Sequence, residues 1–98
     1  EIIDVYNKKI VNIHPALLPK YGGKGMYGMN VHKAIIKNKE VVSGITIHYV
    51  NKKYDEGPII FQKEIKINSS YTPNDLANKI HDLEMEYFPK IVENLLTL

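Results

Sequence analysis

The stretch "YTPNDLANKIHDLEMEYFPKIV" constrains the fold more than any other part of the sequence. It opens on the strongest helix-start signal in the chain. Thr72 can cap, Pro73 suits the first helical position, and Asp75 completes a box-like pattern. Leu76, Ile80, Leu83, Tyr87 and Ile91 then recur on one face at helical spacing. A long helix with one apolar stripe needs another layer to lie on. Pro89 inside the stripe lacks a backbone donor and crowds the turn before it, which predicts a kink or a division of the helix there.

The upstream sequence supplies strands for that layer. "KKIVNIH" has a β-branched centre (Ile10, Val11, Ile13) and is stopped by Pro15, so it reads as a buried strand. "VSGITIHYV" and "PIIFQKEIKI" read as two more, the second alternating through Phe61, Gln62 and Lys63 and again through Ile65, Lys66 and Ile67. "NKKYDEG" between them is a natural reversal, so these two form an antiparallel pair. "MNVHKAIIKNKE" reads as a short helix with Asn30 as its N-cap. Residues 15–28 read as a loop holding Gly22, Gly23, Gly25 and Gly28, mobile over "YGGKGMYG", and "EIIDVYN" reads as the tail of a helix. The sum is an α/β layout of three strands and two helices within one domain at most. That is few strands for a sheet, and the chain opens on Glu1 rather than methionine. The expectation is a piece of a longer product, with more sheet beside the first strand.

Composition narrows the function classes. At 44% hydrophobic and 24% charged, the chain has the balance of a globular domain rather than a disordered one. A formal charge of +2, with scattered lysines and no arginine, argues against nucleic-acid binding, because bidentate base and phosphate recognition favours the guanidinium fork. Without cysteine there is no disulfide framework, no cysteine metal site and no thiol nucleophile, which fits a cytoplasmic protein. No apolar run approaches membrane-spanning length, so no membrane partner is expected.

The residues able to carry chemistry gather at the end of the first predicted strand. Asn12 and His14 are two apart, so they share a face of it. An imidazole can donate to a developing oxyanion or carry a proton near neutral pH. A carboxamide beside it can donate to a carbonyl oxygen without changing charge. Spacing alone favours a plainer reading, in which both satisfy loop backbone groups. Asp55, in "YDEGP", is similarly placed between a turn residue and a partner for His14. If the strand over 42–50 lies beside that over 9–14, a carboxylate in this turn could favour the imidazolium and orient it. His32 and His48 lack the short spacing of a zinc site, so no metal is expected; His48 reads as structural or pocket-lining. His81 falls near the surface edge of the last helix, and Glu84 reads as solvated surface. "YGGKGMYG" matches neither a Walker motif nor a dinucleotide fingerprint.

"NIHPALLPKYGG", "GITIHYVNKKYDEGPIIFQ" and "HDLEMEYFPKIV", in that order, resemble the C-terminal half of glycinamide ribonucleotide formyltransferases, the folate-dependent enzymes of purine biosynthesis. The resemblance runs over nearly all of residues 1–98. It implies the C-terminal part of a formyltransferase-type, Rossmann-like sheet, with an antiparallel strand pair and a long C-terminal helix. It also implies transfer of formyl from 10-formyltetrahydrofolate, as co-substrate, to the amine of glycinamide ribonucleotide.

Asn12, His14 and Asp55 match the catalytic trio of that family. Asn12 and protonated His14 would stabilise the oxyanion, and Asp55 would support His14 and assist proton transfer through water. Val50, Asn51, Lys52, Lys53 and Asp55 fall in the folate loop, where backbone groups read the pterin. Ile13, Pro15 and Glu84 match positions near the ribonucleotide. The family pattern further implies a cis Leu18–Pro19 bond. "GGKGMYGMN" is longer than in the shorter family forms.

The N-terminal half of such a domain, with its phosphate loop and the rest of the folate pocket, is the partner this chain lacks, so the chain alone is expected to be inactive. Roughly one hundred residues would stand upstream of Glu1, by the usual size of such a domain. Formyltetrahydrofolate deformylase is the alternative within the superfamily, though Pro15 follows His14 where the hydrolase typically carries a second histidine. Methionyl-tRNA formyltransferase fits less well, since no basic extension follows the last helix. A non-catalytic α/β interaction module is the third reading.

Overall fold

A computed structural model describes residues 2–5, 9–50 and 58–97. Its elements are β1 (Ile2–Val5), β2 (Lys9–His14), α1 (Met29–Lys37), β3 (Val42–Tyr49), β4 (Ile59–Lys66) and α2 (Pro73–Leu96). The strands form one sheet in the order β1-β2-β3-β4, and every neighbouring pair is antiparallel.

β1 corrects the sequence expectation. Read as a helix tail, it is a strand paired from Ile2↔Asn12 to Val5↔Lys9. Four residues make barely one helical turn, so periodicity could not separate the two states. Three of the four are β-branched, and the edge of β2 offers their backbone groups a ladder.

Residues directly opposite on paired strands share a face, which sorts the sheet into two unlike sides. Val11 and Ile13 of β2, Ile45 and Ile47 of β3, and Phe61 of β4 fall on one side. Val11, Ile45 and Ile47 are completely buried, each worth roughly 1.5–3 kcal/mol relative to exposure. Leu76, Ile80 and Leu83 of α2 join them in the core, and the Phe61 and Tyr87 rings meet at 5.3 Å. Phe88 and Val92 are buried further along α2. α1 adds Val31 and Ile35 to the same core and packs against α2. The other side of the sheet is polar and carries Asn12, His14, Thr46, His48 and Gln62.

α2 begins as its sequence requires. Asp75 N–H donates to Thr72 Oγ1 at 3.1 Å, and Thr72 N–H donates to Asp75 Oδ2 at 3.0 Å. Thr72→Ala removes the hydroxyl acceptor, and thermal unfolding should show a loss of about 1 kcal/mol; an unchanged melting curve would count against the box. Pro89 does not divide the helix, which runs unbroken to Leu96. Pro89 is exposed, and so is Met85, whose carbonyl loses its helical donor. Water can take that bond.

α1 departs from expectation at its first turn. Its N-cap is Gly28, at φ +56°, with no side-chain cap. Left-handed backbone costs glycine little, so the helix can be capped two residues before the asparagine. Asn30 lies inside the helix, and its Nδ2 donates to Gly25 O at 3.1 Å. It ties down the glycine loop rather than capping.

Candidate active site

Antiparallel pairing sets Asn12 opposite His48 and His14 opposite Thr46, so all four stand on the polar face. Thr46 and His48 are fully or almost fully buried, while Asn12 and His14 are half-buried. Polar groups in such a place need hydrogen-bond partners. His14 Nε2–H donates to the carbonyl of Tyr21 at 2.7 Å, and His48 Nδ1–H donates to the carbonyl of Tyr49 at 2.9 Å. Because a carbonyl only accepts, Nε2 of His14 carries a hydrogen in this arrangement. Its Nδ1 is the nitrogen left to exchange a proton with a ligand. The plainer sequence reading, a histidine serving loop backbone, thus describes one of its two nitrogens.

The segment that receives His14 doubles back over the sheet. Its Leu18–Pro19 bond is cis. Tyr21 sits at φ +56°, a conformation costing a non-glycine residue about 1–2 kcal/mol. Asn38 Nδ2 donates to the Tyr21 hydroxyl at 2.9 Å and secures its ring end.

His32, on α1, is 5% exposed, and its Nδ1 makes no hydrogen bond among the described residues. Burial, reinforced by charge repulsion from His14, lowers its pKa below the ordinary 6.5. The unfolded chain therefore takes up this proton before the folded one does. Stability is full above about pH 6.5 and is lost as the pH falls from there toward the lowered folded value. One such proton contributes at most about 1.4 kcal/mol per pH unit. Urea titrations from pH 7 to 5 should show a flatter decline for His32→Gln than for the wild type. Parallel declines would remove His32 from the acid response.

The candidate residues named from the sequence are distributed as follows. Asn12 and His14 come together on one face, with Pro15 half-buried directly after them. Ile13 is buried on the opposite, core face. Val50 donates its N–H to the Ile10 carbonyl at 2.7 Å, and Tyr49 N–H donates to Pro58 O at 3.0 Å. Val50 and Pro58, on either side of residues 51–57, therefore sit beside Ile10 and Val11, nearer Asn12 than His14. Asn51, Lys52, Lys53 and Asp55 lie outside the described residues. Glu84 is partly buried on α2, with Oε1 3.9 Å from Nδ1 of the exposed His81. α2, which carries Glu84, packs on the apolar side of the sheet.

Sequence reasoning passed over Tyr21, Thr46 and Gln62. Thr46 stands two residues before His48 in "GITIHYV", a spacing that places both on one strand face and could have signalled it. Tyr21 acts through its main chain, which no side-chain pattern reveals. Among the described residues no group of three His, Cys, Asp or Glu could hold a metal ion. A concavity of about 410 Å³ lined by Ile36, Val41, Ile67 and Tyr71 includes neither Asn12 nor His14.

Comparison with known proteins agrees with this framework. The formyl transferase family model matches residues 1–92. The chloroplastic phosphoribosylglycinamide formyltransferase of Arabidopsis thaliana is 42% identical over 92 residues, covering 94% of this chain and 32% of its own. Methionyl-tRNA formyltransferase of Ureaplasma parvum is 40% identical over 96 residues, covering 94% of this chain and 30% of its own. The crystal structure of phosphoribosylglycinamide formyltransferase from Bacillus halodurans superposes with a TM-score of 0.76 at 37% identity, over 88% of this chain and 42% of that one. The chain spans about a third of the length of these curated relatives. With an α/β sheet that matches the solved enzyme and a family match across nearly its whole length, the chain belongs to the formyl transferase family.

Proposed function

We propose that this chain is the C-terminal half of an enzyme that moves a formyl group from 10-formyltetrahydrofolate to the amine of glycinamide ribonucleotide, in purine biosynthesis. One observation carries the reading. In a member of this family, Asn12 and His14 share the polar face of β2, with His14 Nε2 already committed to Tyr21. The substrate amine attacks the formyl carbon, its C=O becomes an oxyanion, and the bond to the folate nitrogen then breaks. The amine gives up a proton and the folate nitrogen gains one. The Asn12 carboxamide and the His14 imidazolium donate to the oxyanion, which is stabilisation at the atom where charge develops. Asp55 supports the imidazolium and relays the proton through water. Val50, Asn51, Lys52 and Asp55 form the loop that reads the pterin. Ile13, Pro15 and Glu84 border the ribonucleotide, Ile13 through its main chain because its side chain is in the core.

The rest of the domain supplies the phosphate site and the remainder of the folate pocket, so residues 1–98 alone should show no turnover. No metal enters the mechanism. A cysteine-free chain suits the reducing cytoplasm, where we place the enzyme.

The purified full-length protein, given 10-formyltetrahydrofolate and glycinamide ribonucleotide, should produce the formylated ribonucleotide. Formate release that is indifferent to the ribonucleotide would identify a deformylase instead. The similarity to the Ureaplasma protein favours one second reading, formylation of methionyl-tRNA. Formyl transfer to charged tRNA, and none to the ribonucleotide, would establish it.

A further inference from the structure

Behind the loop that follows His14 lies a closed set of hydrogen bonds. Thr46 Oγ1 donates to the Ala16 carbonyl at 2.7 Å and accepts from Leu18 N–H at 3.0 Å. Gln62 Nε2 donates both to Thr46 Oγ1, at 2.9 Å, and to the Leu18 carbonyl, at 3.0 Å. A hydroxyl has one proton and two lone pairs, and a carboxamide nitrogen has two protons. Every one of these is used. Leu18 N–H and the Gln62 amide can only donate, so Thr46 must accept both and has one direction left for its own proton, toward Ala16. Rotating the Gln62 amide would point its oxygen at another carbonyl. The set therefore has a single arrangement, formed from adjacent positions on β3 and β4.

Its target is the main chain at Ala16 and Leu18, between His14 and Tyr21. Thr46 is also the residue directly opposite His14 on β3. A loop held at Ala16 and Leu18 by the sheet, and at the Tyr21 ring by Asn38, presents the Tyr21 carbonyl to His14 Nε2 at one place. Main-chain self-pairing does not fix this turn, because the two clamped groups of Leu18 and the carbonyl of Ala16 all take side-chain partners.

We infer that Thr46 and Gln62 are positioning residues for His14, fixing through Ala16, Leu18 and Tyr21 which imidazole nitrogen faces the ligand. The catalytic arm of this inference rests on the transferase reading above. The imidazole arm does not.

Thr46→Val keeps the shape and removes the hydroxyl, Gln62→Ala removes both amide donors, and Thr46→Ser keeps the hydroxyl. In the full-length protein the first two should lower kcat by roughly tenfold to a hundredfold, the scale set by small displacements of a reacting group, with KM nearly unchanged. Thr46→Ser should recover most of the loss. In the same proteins without substrate, 15N spectra of the His14 ring should show the Nε2–H form in the wild type and in Thr46→Ser. Thr46→Val and Gln62→Ala should give a mixture of the two forms.

A purely structural clamp would lower the melting temperature while leaving the kcat of the folded protein and the ring spectrum alone, and that result overturns the proposal. If Thr46→Val does not fold, Gln62→Ala decides, since its side chain is largely on the surface. A wild-type protein without transferase activity would defeat the functional reading. The ring spectra would still decide whether Thr46 and Gln62 position His14.

Discussion

His14→Ala in the full-length enzyme lowers kcat by about a hundredfold to ten-thousandfold, the range for losing a positioned acid–base group, while folate binding changes little. The effect is large because the imidazole occupies a place no neighbour can fill. His48 is fully buried, and its Nδ1 is committed to the Tyr49 carbonyl. His32 is held toward its neutral form by burial and by His14 itself. Asn12 can still donate to the oxyanion, so residual turnover should remain. Asn12→Ala should cost about a hundredfold to a thousandfold, as for loss of one oxyanion donor. The fold should survive His14→Ala, which leaves the Tyr21 carbonyl without its donor at a cost of about 1–3 kcal/mol. Steady-state kinetics with both substrates, and calorimetric titration with a non-reactive folate analogue, separate the two quantities. An unchanged kcat would remove His14 from the chemistry. Loss of folate binding together with kcat would make it a binding residue.

What could be read in advance divides along physical lines. α2, β3 and β4 were legible because local chemistry and tertiary packing ask for the same thing: the Thr72–Asp75 box, the stripe from Leu76, and the alternation of β4 against α2. β1 was not, because four residues hold too little periodicity, and pairing with β2 decides their state. Asn30 misled because a capping residue type was available while Gly28 could adopt the cap conformation itself. The Asn12–His14 pair was visible as two residues on one strand face. Its meaning was not, since spacing could not tell which nitrogen of His14 serves the loop and which remains for a ligand. That depends on the Tyr21 carbonyl, placed by contacts from Thr46, Gln62 and Asn38, which stand between 16 and 44 residues from their partners.

Gly44→Ala is expected to destabilise the protein by about 1–3 kcal/mol, as overpacking of a well-filled site does, and to disturb the loop after His14 at the same time. Gly44 lies in β3 on the polar face, opposite Glu64 of β4. The objection to a side chain here is steric. A Cβ would collide with the Lys63 carbonyl and come within 2.7 Å of Leu17 Cδ2. Leu17 can turn aside, but the Lys63 carbonyl belongs to the neighbouring strand and moves only if β4 does. The two obstacles make different predictions for a second substitution. Leu17→Ala in the Gly44→Ala background should return only part of the lost stability, because the contact with β4 remains. A full return would mean that β4 is less closely seated than its register with β3 requires. Since Leu17 lies between Ala16 and Leu18, both held by the Thr46–Gln62 set, displacing it pulls on the same main chain that carries the Tyr21 carbonyl. The kcat of Gly44→Ala should therefore fall further than its loss of stability accounts for, and Leu17→Ala should recover more of the kcat than of the stability. Equal recovery of both would show that the strand pair, rather than the loop, sets the position of His14.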